Sequence, residues 1–180
     1  MRALFLDRDG VVNVDHGYVA SKDRFEFLPG IFDLTRTAVE QGFATFIVTN
    51  QAGIARGLYT EQDFARLMEW VCAEFERAGG PIVKVYHCPH HPDFGPEGLR
   101  VRCECRKPRP GLLLAAAEEF GLDMSASIMV GDKESDMLAG DAAGVGALVL
   151  LGGARADSRW INASSFSEIA ALVRAKASAA

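Results

Sequence analysis

A chain of 180 residues, 49% hydrophobic and 24% charged, with a formal net charge of −5, can bury a sizeable core as one domain over residues 1–180. The acidic balance argues against a nucleic-acid surface, which needs clustered Lys and Arg. Only Arg106, Lys107 and Arg109 gather, and they suggest a local anion site. No apolar run reaches membrane length or forms a signal-peptide core, so a cytoplasmic monomer with reduced thiols and no membrane partner is expected.

Residues 3–6 are the first short apolar run, a predicted strand that ends at Asp7-Arg8-Asp9-Gly10. Residues 10–30 follow as an irregular loop. A helix is expected over 31–41, stopped by Gly42, and then a strand over 43–48 that ends in Thr49-Asn50. Thr60 and Asp63 fit a capping box, and Phe64, Leu67, Met68, Val71 and Phe75 follow on one helical face. Cys72 is expected to lie in the core beside them. A strand over 82–86 leads to His87 and Cys88, and residues 88–110 form a second loop, rich in proline. A helix over 110–120, a strand over 127–130 and a helix over 134–143 come next. A strand over 147–151 and a helix opened by Ser165 and Glu168, with Ile169, Leu172 and Val173 inward, complete the chain. This alternation predicts an α/β fold, a three-layer arrangement of a parallel sheet with helices on both faces. Two loops are inserted, and neither is long enough for a large cap domain.

Four predicted strands end in polar residues: Asp7, Thr49-Asn50, Cys88 and Asp132. Ligands of open α/β sheets bind beyond the carboxyl ends of the strands, so these residues should meet at one edge. Asp7 and Asp9, joined by Asp132, would make an all-oxygen site suited to Mg²⁺. A carboxylate beside bound Mg²⁺ can attack phosphorus, while a second acid protonates the leaving oxygen and then activates water. Thr49, the backbone amides after it and Lys107 would offset the charge of the transferring group.

Asp7-x-Asp9-Gly10, Thr49-Asn50, Lys107 and Gly131-Asp132-x-x-x-Asp136 stand in the order of the four motifs of the haloacid dehalogenase-like phosphatases, and the chain resembles that family. The resemblance implies a Rossmann-like fold, Asp7 as nucleophile and Asp9 as acid and base. It implies phosphate contacts from Thr49 and Lys107, and Mg²⁺ held by Asp7, Asp132 and the backbone carbonyl of Asp9. Asp136 is expected to orient the cluster.

Cys88-x-His90 and Cys103-x-Cys105 bracket the second loop. Three thiolates and one imidazole suit a closed, structural Zn²⁺ site, with His91 competing for the place of His90. These residues, with Asp15-His16-Gly17-Tyr18-Val19 and the segment from Asn50 to Gly57, narrow the resemblance to family members that carry a zinc loop and act on sugar bisphosphates. Histidinol-phosphate phosphatases share much of the pattern. The resemblance implies removal of the 7-phosphate from a heptose 1,7-bisphosphate, on the route to lipopolysaccharide or surface glycans. It implies a rim of Asp15, His16, Gly17, Tyr18, Asn50, Gln51, Ala52 and Lys133 around the sugar, with Arg106 on the distal phosphate and Arg56 as a further candidate. Ala52 stands where Ser is expected in many relatives.

Overall fold

Side-chain alternation along the first strand explains the layered architecture. In β1 (Arg2–Leu6), Leu4 and Leu6 enter one buried cluster while Ala3 and Phe5 enter another, as the period of two along a strand requires. The computed structural model describes residues 1–153 and 159–178. Within them, β1 is joined by β2 (Phe43–Asn50), β3 (Ile82–Cys88), β4 (Ile128–Gly131), β5 (Ala147–Leu151) and β6 (Ile161–Ala163). All neighbouring pairs are parallel, in the order β3-β2-β1-β4-β5-β6.

Helices cover both faces. On one side, α1 (Ile31–Glu40), α3 (Glu61–Arg77) and α6 (Phe166–Ser178) bury Leu34, Phe75 and Ile169 against Leu4, Ile47 and Val149. On the other, α4 (Gly111–Phe120) and α5 (Glu134–Ala142) bury Leu113 and Met137 against Phe5, Phe46 and Leu148. The four-residue α2 (Ala52–Ala55) lies directly after β2. No helix among the described residues is long and apolar enough to cross a membrane.

The expected elements form, with local differences. The Thr60–Asp63 capping box is present, with Thr60 Oγ1 accepting from the Asp63 amide at 3.0 Å. Strands β2 and β3 run on through Thr49-Asn50 and His87-Cys88, paired residue by residue. Cys72, expected in the core, is only half-buried, because it sits one position past Val71, to the side of the stripe that runs on to Phe75. His87 packs its ring 4.6 Å from that of Phe64.

The chain runs outward from β1 through β2 to β3 and then returns to place β4 on the other side of β1, so strand order reverses between β1 and β4. Ligands bind at such switch points. Asp7 follows β1 and Asp132 follows β4, on the two strands flanking that reversal.

Candidate active site

At the carboxyl end of β1, the Asp7 amide donates to Val130 O at 2.9 Å, which fixes the turn to the neighbouring strand. The Asp7 carboxylate is buried, and its Oδ1 accepts from Lys107 Nζ at 2.6 Å. The same ammonium donates to Val48 O at 2.8 Å and pairs with Asp136 Oδ1 at 2.6 Å. Burial pushes the Asp7 carboxyl up, and Lys107 opposes that push without cancelling it. Burial would lower Lys107, but Asp7 and Asp136 outweigh it and hold the ammonium charged. Asp136 Oδ2 also accepts from the Lys133 amide at 3.1 Å, which seats the start of α5.

Asp132 completes an acidic group. Carboxylate oxygens of Asp7, Asp132 and Asp136 lie within 4.8 Å of one another. Burial, reinforced by Asp7, raises Asp132 to about 6. Its Oδ1 is buried without a hydrogen-bond partner in the protein. Buried polar atoms normally have partners, so this oxygen marks a place where a hard cation fits. Gly10 lies against the same carboxylate: a Cβ built at Gly10, whose φ is +92°, would stand 2.3 Å from Asp132 Oδ2.

Asp9 is held from three directions. Its Oδ1 accepts from Arg8 Nη2 at 2.6 Å and Asn13 Nδ2 at 3.1 Å, and its Oδ2 from Gln51 Nε2 at 3.2 Å. Gln51 Nε2 also donates to Thr49 Oγ1 at 2.8 Å, and Tyr59 donates to Gln51 Oε1 at 2.6 Å. Thr49 and Gln51 are therefore buried in one network with Asp9. Asn50 plays a different part. Its side-chain amide donates to Lys107 O and accepts from Lys107 N, both at 3.0 Å, which sets the second loop in register with the end of β2.

That loop carries the sulfur cluster. Cys105 Sγ lies 3.0 Å from Cys88 Sγ and 3.3 Å from Cys103 Sγ, and Cys88 to Cys103 is 3.5 Å. His90 Nδ1 completes the group, 3.3 Å from Cys105 Sγ and 3.7 Å from Cys88 Sγ. The four cysteines of the chain are unbridged. Two thiolates each about 2.3 Å from one tetrahedral zinc would stand about 3.8 Å apart, so the cluster is close to the size such an ion requires. His90 enters it and His91 does not: His91 Nδ1 accepts from the Asp93 amide at 3.1 Å, and its ring lies 4.8 Å from that of Phe94.

The remaining rim candidates separate into two groups. Lys133 Nζ lies 3.3 Å from Asp15 Oδ2, which ties the first loop to the end of β4 beside Asp132. Tyr18 is exposed, with a left-handed φ of 51°, and Arg56 lies over its ring at 5.9 Å and over Phe94 at 3.8 Å. Arg106 is half-buried, donates to His90 O at 3.3 Å and lines a cavity of about 260 Å³ with Arg102 and Arg109. Ala52 opens α2 directly after Gln51. His16, in contrast, is engaged by Glu26 of its own loop at 3.1 Å, and the carbonyls of His16 and Gly17 accept from Arg24. The Gly17 amide donates to Asp15 Oδ1 at 3.0 Å, so both residues hold the first loop to itself.

Arg8, Asn13 and Tyr59 were not singled out from the sequence. Arg8 and Asn13 are polar residues that follow a buried strand within a few positions, a usable signal. Tyr59 carries none.

A family model for HAD-hydrolase-like proteins matches residues 104–169. A D-glycero-alpha-D-manno-heptose-1,7-bisphosphate 7-phosphatase of Burkholderia mallei is 53% identical over 150 residues, covering 83% of this chain and 79% of that protein. The chain belongs to the heptose bisphosphate phosphatase family of HAD-like hydrolases. A D-glycero-beta-D-manno-heptose-1,7-bisphosphate 7-phosphatase of Escherichia coli is 50% identical over 149 residues, covering 83% of this chain and 78% of that protein. The crystal structure of D,D-heptose 1,7-bisphosphate phosphatase from B. bronchiseptica, complexed with magnesium and phosphate, superposes with a TM-score of 0.84 at 28% identity, covering 98% of this chain and 99% of that one. Family members thus differ in the anomer named, α or β, and one of them is complexed with magnesium and phosphate.

Proposed function

We propose that this chain, as a single catalytic domain in the cytoplasm, removes the 7-phosphate of D-glycero-D-manno-heptose 1,7-bisphosphate and leaves heptose 1-phosphate for surface-glycan synthesis. The observation that carries the reading is the pairing of Asp7 with Lys107 beside Asp132 at the switch point of the sheet. It stands alongside relatives of about half identity that are named for this reaction.

The chemistry divides in two. An Asp7 carboxylate oxygen attacks phosphorus, the bond from phosphorus to the C7 oxygen breaks, and that oxygen takes a proton from Asp9. A water then attacks the phosphorus of the aspartyl-phosphate and gives its proton to Asp9, and the P–O bond to Asp7 breaks to release inorganic phosphate. Lys107 and the Thr49 hydroxyl face the charge that builds on the transferring group, as transition-state stabilisation requires. Mg²⁺, held by Asp7, Asp132 and the backbone carbonyl of Asp9, would supply positive charge for the phosphate oxygens. The unpartnered Asp132 Oδ1 fits that ligand role.

Cys88, His90, Cys103 and Cys105 would hold Zn²⁺, which would order the loop that carries Arg106 and Lys107. A closed set of four ligands leaves no position for water or substrate, so its part is structural. Arg106 takes the distal phosphate, whereas Lys133 and Asp15 border the sugar from the side of β4. Asp15 is held below the usual carboxylate range: the Gly17 amide and Lys133 outweigh its partial burial.

Comparing kcat/KM for the α- and β-heptose bisphosphates with that for histidinol phosphate, all with Mg²⁺, tests the reading. A bisphosphate should be preferred by on the order of 10⁴-fold, the discrimination shown when a built polar contact is left empty. Better turnover of histidinol phosphate would overturn it.

A further inference from the structure

Arg8 has no part in the scheme above, yet it is the largest of the fully buried side chains. Its Nη2 donates to Asp9 Oδ1 at 2.6 Å and to the carbonyl of Val19 at 2.8 Å. Its Nε and Nη1 have no hydrogen-bond partner in the protein. The guanidinium carbon lies 5.8 Å from the centre of the Phe64 ring on α3 and 6.0 Å from that of Phe25, so its faces meet aromatic rings and not water. Desolvating a guanidinium is costly, and an apolar side chain of the same volume would serve a purely structural purpose better. The charge must be there for something else.

Its contacts show what that is. Among the described residues, Arg8 is the only basic side chain paired with Asp9; the other donors, Asn13 and Gln51, are neutral amides. The same nitrogen reaches Val19, which is itself buried and follows Tyr18 in the first loop. The Arg8 carbonyl also accepts from the amides of Val11, Val12 and Asn13 at 3.2, 2.7 and 3.1 Å, so the loop starts and returns on one residue. A single buried cation therefore joins the Asp9 carboxylate to the loop carrying Asp15 and Tyr18.

We propose that Arg8 is a positioning residue for proton transfer: it fixes the Asp9 carboxylate to the underside of the first loop, so Asp9 meets the leaving oxygen only with that loop seated. This rests on Asp9 being the acid and base of the reaction. Arg8 touches neither substrate nor phosphorus in this scheme and acts through Asp9.

The test uses leaving groups of different basicity. A sugar alkoxide needs a proton as its bond to phosphorus breaks, whereas 2,4-dinitrophenolate leaves without one. First-turnover rates with Mg²⁺ are measured by rapid quench for Arg8→Met, Arg8→Lys and Asp9→Asn, each with heptose bisphosphate and with 2,4-dinitrophenyl phosphate. Arg8→Met should slow the sugar substrate at least about tenfold, the lower part of what acid–base catalysis contributes. Release of dinitrophenolate should stay within about threefold of the parent protein on the same ground. Arg8→Lys, which keeps the charge on a shorter arm, should show the same split with smaller amplitude, and it carries the test if Arg8→Met does not fold. Equal losses on both substrates would mean ordinary structural damage and overturn the proposal, as would no loss on either. Asp9→Asn separates the two levels. A split there without one in the Arg8 variants refutes the role of Arg8 alone, and no split in Asp9→Asn refutes the assignment of Asp9 and this inference with it.

Discussion

Lys107 Nζ and Asp7 Oδ1 meet at 2.6 Å across 100 residues of sequence, and both side chains are almost wholly buried. The same ammonium neutralises Asp136, so its removal leaves two buried carboxylates facing each other. Lys107→Met should cost about 3–5 kcal/mol of stability in metal-free protein, the usual price of breaking a buried pair. Turnover should fall about 10²–10³-fold on mono- and bisphosphates alike, because every reaction passes through the same phosphoryl group. Thermal melts and kcat measured on both substrates check the two effects separately.

Asp7→Asn should behave in the opposite way. It removes a carboxyl that burial already disfavours as an anion, so the melting temperature should hold or rise. Loss of the nucleophile should reduce kcat by on the order of 10⁴-fold or more. A variant that keeps a tenth of the parent activity would refute the aspartyl-phosphate scheme.

The sulfur cluster predicts about one zinc per chain by elemental analysis of purified protein. Cys103→Ser should lower zinc content, and it should lower activity as well, because Lys107 lies two residues beyond the ligand Cys105. Fully active protein that contains no zinc would show that the loop is ordered without it.

Arg106 and Lys107 are neighbours with different destinations: the Lys107 ammonium is buried on Asp7, while the half-buried Arg106 guanidinium donates to His90 O in the second loop. Arg106→Ala should therefore cost about 2–4 kcal/mol in kcat/KM for the bisphosphate, the range for truncating one member of a desolvated charge pair. It should leave a simple monophosphate nearly untouched. Equal losses on both would remove Arg106 from substrate recognition.

Asp132, raised to about 6 from 3.8, sets a pH window for magnesium. A carboxyl raised in the folded state binds its proton more tightly there than in the unfolded chain. Its contribution therefore favours folding as pH falls toward 4, and in metal-free protein it disfavours folding above 6. Mg²⁺ needs the ionised form, so proton and metal compete. The rise in melting temperature given by Mg²⁺ should be full at pH 7.5 and shrink as pH drops through 6. An unchanged increment at pH 5 would show that Asp132 is not a ligand.

Much of the site was legible because its residues end strands. Asp7, Thr49, Cys88 and Asp132 could be placed at one edge from the apolar runs before them, and parallel pairing puts them there. Strand ends were less legible. His87 pairs with Thr49 and Cys88 with Asn50 through backbone groups, which are indifferent to side-chain polarity, so β2 and β3 outrun their apolar stretches. The three-residue β6 buries only Ala163, and so short a segment shows no period. Periodicity placed Cys72 one position too generously. Long-range ion pairs left no trace in local pattern: nothing near Asp136 announces Lys107, and nothing near Arg8 announces its burial between Phe25 and Phe64.

Gly10 and Gly17 look alike in sequence, and both adopt left-handed backbone, with φ of +92° and +71°. Their freedom to drift differs sharply. A side chain at Gly17 would meet nothing within 4 Å and would carry only the backbone penalty, about 1–2 kcal/mol. One at Gly10 would strike the Asp132 carboxylate as well. In a saturation library, Asn and Asp, which tolerate left-handed backbone, should survive at position 17, whereas position 10 should return glycine alone among active clones. The boundary between what the loop may vary and what the metal shelf forbids falls within the six residues between them.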